Sequence, residues 1–107
     1  MTFTGDEGDF ITLSEGAALT SNYRNSASAG ATKGHYIGKS KLNQLLAQAG
    51  CVGIRVYYGQ STTGSKELVI VGVDANQNDI LPTSGALILD KTVPCPSGCS
   101  SNNGLNS

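Results

Sequence analysis

The fold is decided by residues 51–81, CVGIRVYYGQSTTGSKELVIVGVDANQNDIL. One face of the first run in this stretch is apolar, with Val52, Ile54, Val56 and Tyr58 at every second position. Alternation of this kind is typical of a strand with one buried face. The second run, 67–74, is apolar on both faces in its middle, which is typical of a central strand. Residues 60–65 are glycine and small polar residues, so the two runs are predicted to pair as an antiparallel hairpin.

A second turn and a further strand are predicted after this hairpin. Residues 75–79 are rich in Asn and Asp, which tolerate left-handed backbone and bond their own main chain. A third strand is predicted at Ile80 and Leu81, and Pro82 should stop it because proline cannot donate to the ladder. A short run at 86–89 could form a fourth strand.

Two helices are predicted before the hairpin. Thr12 and Glu15 have the spacing of a capping box, so a first helix should begin near Leu13 and end near residues 24–26. The second helix has an apolar stripe at helical spacing: Leu42, Leu45, Leu46 and Ala49. Gly50 is placed as its left-handed C-cap. The sequence therefore predicts an α+β fold, two N-terminal helices packed on a three- to four-stranded antiparallel β-meander.

The predicted domain organisation is simple. Residues 1–10 are acidic and glycine-rich and are predicted to form a flexible arm carrying Phe3 and Phe10. Residues 11–99 should form a single α+β domain, and residues 100–107 a frayed tail. With 107 residues, 14 glycines and no Trp, the core should be thin. A metal, disulfides or oligomerisation often stabilise chains of this size.

Composition argues against two classes of partner. Only 14% of the residues are charged and the net charge is −1, so there is no basic surface for nucleic acid. No run is long enough to span a bilayer, and the first residues lack the pattern of a signal peptide. The default expectation is a cytoplasmic protein without membrane insertion, with export that needs no leader left open.

Two loops resemble ligand-binding motifs imperfectly. Residues 34–40, GHYIGKS, resemble a phosphate-binding loop but have three residues between the glycines where the motif needs four. Residues 74–79 resemble the start of a calcium loop, but Asp79 stands where the glycine should be and Gly85 where the bidentate Glu should be. We interpret the first as a loop that caps the second helix and the second as a hairpin turn.

The soft metal ligands of the chain are His35, Cys51, Cys95 and Cys99. Three sulfurs and one nitrogen could hold a structural zinc ion, although only the CxxxC pair has a familiar ligand spacing. One alternative to zinc is a Cys95–Cys99 disulfide with Cys51 as a buried thiol. The other alternative is three unlinked thiols. A thiol enzyme using Cys51 or Cys95 with His35 lacks an evident orienting group or oxyanion site.

Two strings carry a resemblance, GCVGIRVYYG at 50–59 and VGVDAN at 71–76, supported by Tyr23-Arg24, His35-Tyr36 and Pro94-Cys95. Through them the region from about 11 to 99 resembles a set of short, uncharacterised bacterial proteins. The resemblance implies no activity, ligand or partner.

The sequence thus predicts a small non-enzymatic structural or interaction protein with a Cys/His structural site. A homo-oligomer, or another protein partner, would form through the sheet edges and the N-terminal arm. The alternatives are a thiol-dependent enzyme or redox protein, and a secreted or surface protein with a Cys95–Cys99 disulfide.

Overall fold

The computed structural model describes residues 1–82 and 87–106. Within them the chain has the predicted α+β architecture. Its elements, in order, are α1 Leu13–Ser26, β1 Gly34–Tyr36, α2 Lys39–Leu46, β2 Cys51–Gln60, β3 Lys66–Asp74, β4 Ile88–Leu89 and β5 Val93–Cys95.

The chain divides into two compact units, where the sequence predicted a single domain over 11–99. The meander unit comprises Met1–Glu7 and Ile37–Thr92, and the disulfide unit comprises Gly8–Tyr36 and Val93–Ser107. The division follows from the pairing of β1 with β5, which joins the segment before α2 to the segment after β4. Helix α2 therefore packs on the meander, whereas α1 belongs to the other unit.

The predicted hairpin is confirmed as β2 and β3. The strands pair antiparallel from Gln60 opposite Lys66 to Cys51 opposite Asp74, with a bulge between Cys51 and Gly53. The loop closes with Gly64 at φ +92°, a backbone angle that glycine adopts without strain.

The third strand of this sheet is β4, so the strand order is β2-β3-β4. Leu89 lies opposite Ile70 and Ile88 opposite Val71. The strand predicted at Ile80 and Leu81 is wrong. That segment makes only a bridge between Val73 and Asp79, followed by a hydrogen bond from Ile80 N–H to Gly72 C=O.

Pro82, two residues beyond Ile80, lacks an N–H and cannot donate to the ladder. The sheet resumes in the run predicted at 86–89, of which Ala86 lies outside the described residues.

The core of the meander unit lies on both faces of β3, with Ile70 on the same face as Gly72 and Val71 and Val73 on the opposite one. The buried apolar side chains of the described residues are Leu45, Ile70, Val71 and Val73, each at most 3% exposed. Helix α2 contacts both β2 and β3. The helix ends at Leu46 with Ala47 as its C-cap, earlier than predicted. Gly50 does have the predicted positive φ of +78°, but it completes a separate turn in which Cys51 N–H bonds Gln48 C=O.

The first residues are docked, although a flexible arm was predicted over 1–10. Phe3 N–H donates to Ala75 C=O at 2.8 Å, and the Gln77 side chain donates to the Met1 carbonyl. Glu7 accepts from the Thr4 N–H at 2.8 Å, and that hydrogen bond lowers the pKa of Glu7. The short polar side chains therefore give this segment local structure, and its backbone bonds the turn after β3. Phe10, in contrast, is fully exposed.

The disulfide unit contains α1 and a small two-stranded sheet. The predicted capping box at Thr12 and Glu15 is present, and α1 buries none of its residues. Strands β1 and β5, which the sequence did not predict, pair antiparallel with His35 opposite Pro94. In the tail that was predicted to be frayed, the Leu105 carbonyl accepts from Arg24 at 2.6 Å and the Asn106 carbonyl from Lys33 at 2.8 Å.

Candidate interaction surface

Cys95 and Cys99, two of the four predicted zinc ligands, are joined by a disulfide in the disulfide unit, with their Cα atoms 4.8 Å apart. Gly98 N–H bonds Pro94 C=O at 2.9 Å and closes the turn between them. Lys33 N–H bonds the Cys95 carbonyl at 2.6 Å, which extends the β1–β5 pairing. The turn and the small sheet therefore hold the two cysteines in the geometry of the bond.

Of the other two predicted ligands, His35 lies beside this pair, opposite Pro94 in the small sheet, and Cys51 lies in the other unit. His35 is in β1 of the disulfide unit, and Cys51 begins β2 of the meander unit. Cys51 is half-buried, and its thiol donates to the Gly53 carbonyl at 3.1 Å. Within residues 1–82 and 87–106, no group of three or more His, Cys, Asp or Glu side chains is placed to hold a metal ion. Zinc binding by the four residues stays a prediction, and it requires the reduced pair because the ligand is a thiolate.

The loop that resembles a calcium site uses its carboxylates for its own structure. Asp74 accepts from the N–H groups of Asn76 and Asn78, at 2.9 and 3.0 Å, as in an Asx turn. Asp79 binds the side chains of Arg55 and Tyr57. The hairpin-turn interpretation fits this geometry. The loop that resembles a phosphate site is divided between β1 and the start of α2, with Gly38 as the N-cap of the helix.

A polar cluster on the meander unit escaped the sequence analysis. Arg55 and Tyr57 project from the same face of β2 and share the Asp79 carboxylate, and Arg55 also donates to the Gln77 carbonyl at 3.3 Å. The hydrogen bond that Arg55 donates to the Asp79 carboxylate raises the pKa of Arg55. The available signal was the spacing of Arg55 and Tyr57, two residues apart on one strand face. The cluster ties the turn after β3 to β2 and offers no unpaired nucleophile.

The most exposed apolar feature of the sheet is the edge strand β2. The exposed fractions of Ile54, Val56, Tyr57 and Tyr58 are 37%, 41%, 44% and 94%. Arg55 is the single charged residue of the strand, and Asp79 neutralises it. Natural edge strands are commonly protected by lysines, prolines or short length. The ten residues of β2 include no lysine and no proline, and its bulge lies at its first residues, between Cys51 and Gly53.

The direction of the backbone groups on this edge follows from the pairing. Gly72, which lies opposite Ile54, accepts a hydrogen bond from Ile80 N–H at 2.8 Å on the side away from β2. Ile54 and Gly72 therefore form a non-hydrogen-bonded pair, in which the N–H and C=O groups point away from the partner strand. The alternation continues, since Ser61 N–H bonds Ser65 C=O one residue beyond Gln60.

The N-terminal segment approaches one end of the same edge. A β-carbon added at Gly5 would lie 3.0 Å from the Val52 carbonyl oxygen. Phe3 and Glu7 line a cleft of about 370 Å³ together with Val52 and Arg55. The docked segment therefore covers the start of β2, near the bulge, and we call residues 54–60 the open edge.

No family model, curated protein or solved structure matches the chain. In the part of the chain that the structure describes, neither helix has the length and hydropathy needed to cross a membrane.

Proposed function

We propose that this protein is a non-enzymatic structural protein that assembles with further copies of itself. The observation that carries the proposal is the open edge of β2, residues 54–60, which presents apolar side chains and unpaired backbone groups to solvent. A strand edge of this kind is a template for pairing with another chain.

The small core supports the same proposal. The described residues bury four apolar side chains below 4% exposure, while Tyr58 and Ile88 on the same sheet are 94% and 50% exposed. Full burial of one large apolar side chain is worth about 1.5–3 kcal/mol. A second copy paired along β2 would bury part of the exposed apolar surface of that strand and so stabilise the fold.

The weak charge of the chain removes an obstacle to assembly. A net charge of −1 gives little repulsion between copies. Because the exposed contacts are apolar and hydrogen-bonding, we expect assembly to persist at high salt, where charge-driven association is screened.

The thiol-enzyme alternative has less support. Cys95 is bonded to Cys99, so neither of these sulfurs is a free thiolate. A nucleophilic cysteine needs an adjacent base and an orienting group.

Sedimentation velocity over a concentration series, at low and high salt, tests the proposal. We expect the mass to rise from one chain to a defined multiple as concentration increases, with little effect of salt. A strict monomer at the highest concentration contradicts the proposal. Assembly that disappears at high salt would show that charged groups, and not the apolar edge, drive the contact.

The disulfide supports a second proposal, that the protein works in an oxidising compartment. Disulfides persist in secreted, periplasmic and surface proteins and are rare where thiols are kept reduced. Counting alkylated thiols under denaturing conditions, in protein trapped directly from cells, should give one thiol per chain, at Cys51. Three thiols per chain would contradict an oxidising location and restore the zinc prediction, which metal analysis of the same sample then tests.

A further inference from the structure

We infer that two copies of the chain join along β2 as an antiparallel pair whose two-fold axis passes through Tyr57. The inference rests on the self-assembly proposed above and specifies its interface. The product is a continuous six-stranded sheet, with three strands from each copy.

The outer edge of β2 carries backbone N–H and C=O groups that β3 does not pair. By the alternation described above, Ile54, Val56, Tyr58 and Gln60 direct their N–H and C=O groups away from β3. Within residues 1–82 and 87–106, no backbone hydrogen bond outside the β2–β3 ladder is made by the three residues Ile54, Val56 and Tyr58. A neighbouring strand would satisfy these groups.

The N-terminal segment limits the length of this edge. Gly5 lies against the Val52 carbonyl, so a pairing strand cannot extend over Val52 without displacing the N-terminal segment. The open edge, 54–60, is therefore the longest stretch that pairs without rearrangement. Its midpoint is Tyr57.

The length of the open edge sets the register. A two-fold axis at Tyr57 uses the whole open edge and places Val56 opposite Tyr58 and Arg55 opposite Gly59. The outward groups of Val56 and Tyr58 then face each other as a hydrogen-bonded pair. Tyr57 faces its own copy in a non-hydrogen-bonded pair, where side chains approach most closely, and aromatic and β-branched partners stabilise such pairs.

Neighbouring registers are less favourable. An axis at Arg55 places two positive charges directly opposite each other, which is destabilising. An axis at Val56 pairs Val52 with Gln60 and meets the N-terminal segment at Val52. An axis at Tyr58 pairs only residues 56–60 and leaves the groups of Ile54 unpaired.

The other edge of the sheet is a poor competitor. Strand β4 has two residues, Ile88 and Leu89, so it offers one short segment of ladder. Pairing of β2 with β2 consumes the long edge of both copies, and such a two-fold contact closes on itself as a dimer.

A proline substitution separates this interface from the fold of the monomer. The N–H of Val56 points away from β3, so Val56→Pro removes no hydrogen bond of the β2–β3 ladder. Proline is tolerated at an edge position whose N–H faces solvent. We expect Val56→Pro to remain folded and to lose the dimer in sedimentation velocity. The matched control is Thr62→Pro, at the second position of the turn closed by the bond from Gly64 N–H to Ser61 C=O, a position that favours proline. It should keep the dimer mass of the unsubstituted protein.

Disulfide trapping with single introduced cysteines tests the register directly. All variants carry Cys51→Ser, so that the introduced cysteine is the only free thiol beside the native disulfide. Tyr57→Cys should form a disulfide-linked dimer on mild oxidation. Arg55→Cys and Gly59→Cys should each stay unlinked alone and should link when the two variants are mixed. Thr63→Cys, outside the open edge, is the control for random collision.

The outcomes distinguish the interface from the proposed function. A monomeric unsubstituted protein contradicts both. An oligomer that Val56→Pro leaves intact, or that binds through another surface, supports self-assembly and overturns the β2 interface. Self-linking of Arg55→Cys, or linking in the pattern of a parallel pair, overturns the register. If Tyr57→Cys unfolds because it loses the Asp79 contact, the mixed Arg55→Cys and Gly59→Cys experiment decides the register.

Discussion

The two units of this chain are stabilised by different means. The meander unit buries Leu45 and three consecutive or near-consecutive residues of β3 at no more than 3% exposure. In the disulfide unit, α1 buries no residue, and the sheet consists of two three-residue strands. A covalent bond and side-chain hydrogen bonds to carbonyls take the place of burial there. The difference illustrates that a segment too small to form a core needs a cross-link.

The difference in burial between the two units should be largest in effect at the centre of β3. Ile70→Ala removes a fully buried side chain, and we expect the free energy of unfolding of the meander unit to fall by about 2–5 kcal/mol. Leu19→Ala in α1 is the control, because Leu19 is 62% exposed and exposed substitutions usually stay within about 0.5 kcal/mol. Denaturant unfolding, monitored by hydrogen exchange, measures the loss of unfolding free energy in each variant. Equal losses for the two variants would show that the contrast in burial does not set stability.

Loss of the disulfide should act on the other unit. Closing a loop of the Cys95–Cys99 length stabilises a fold by about 2 kcal/mol in the chain-entropy model. The double variant Cys95→Ser, Cys99→Ser should therefore lose amide protection in β1 and β5 while β2 and β3 keep theirs. Cys51→Ser is the matched control for a cysteine outside the bond. Unchanged exchange in β1 and β5 would mean that the tail contacts of Arg24 and Lys33 suffice.

The cap of α1 makes a smaller contribution to the stability of the disulfide unit. Thr12→Ala removes the hydroxyl that accepts from Glu15 N–H at 3.1 Å, and loss of such a cap typically costs about 1 kcal/mol. Because α1 has no buried face, we expect partial melting of its first turn, visible as lower helicity by circular dichroism. Thr12→Ser, which retains the hydroxyl, should restore the signal. Full helicity in Thr12→Ala would show that contacts other than the cap stabilise α1.

The smallest expected effect is a dependence on pH. The hydrogen bond from Thr12 N–H lowers the pKa of Glu15 below its ordinary value of 4.5. A carboxylate with a lowered pKa stabilises the fold above the unfolded pKa, and the contribution disappears as the pH falls through the folded value. Helicity of α1 should thus decline at acidic pH in the unsubstituted protein. Glu15→Gln should have a flatter profile, and identical profiles for the two would contradict this assignment.

The sequence predicted the parts of the fold that local rules determine. The Thr12–Glu15 spacing located the start of α1, and the alternation in 51–58 located β2. Strands β1 and β5 were missed because three residues, one of them Pro94, are too few to show a period. The strand expected at Ile80 failed because an apolar pair before Pro82 does not indicate how far the pairing extends.

The candidate site was predictable only in outline. Free strand edges followed from the prediction of a meander, but the choice of β2 as the long open edge required the pairing of β4 with β3. The docking of Phe3 and Gly5 beside β2 depends on main-chain contacts that carry no side-chain pattern. The state of Cys95 and Cys99 could not be chosen from spacing, because zinc and disulfide both accept a CxxxC pair.

Cys51 provides the protein with an internal reporter of its own opening. A β-carbon added at Gly72 would lie 3.0 Å from the Cys51 sulfur and 2.8 Å from the Gln48 side chain, so this thiol is wedged between the turn after α2 and the central strand. Because Cys51 is half-buried, this packing slows the approach of a thiol reagent without excluding it. The rate of modification, compared with that of the unfolded chain, therefore reports how well this corner of the meander unit is kept closed under native conditions, and the oxidised pair in the other unit does not react.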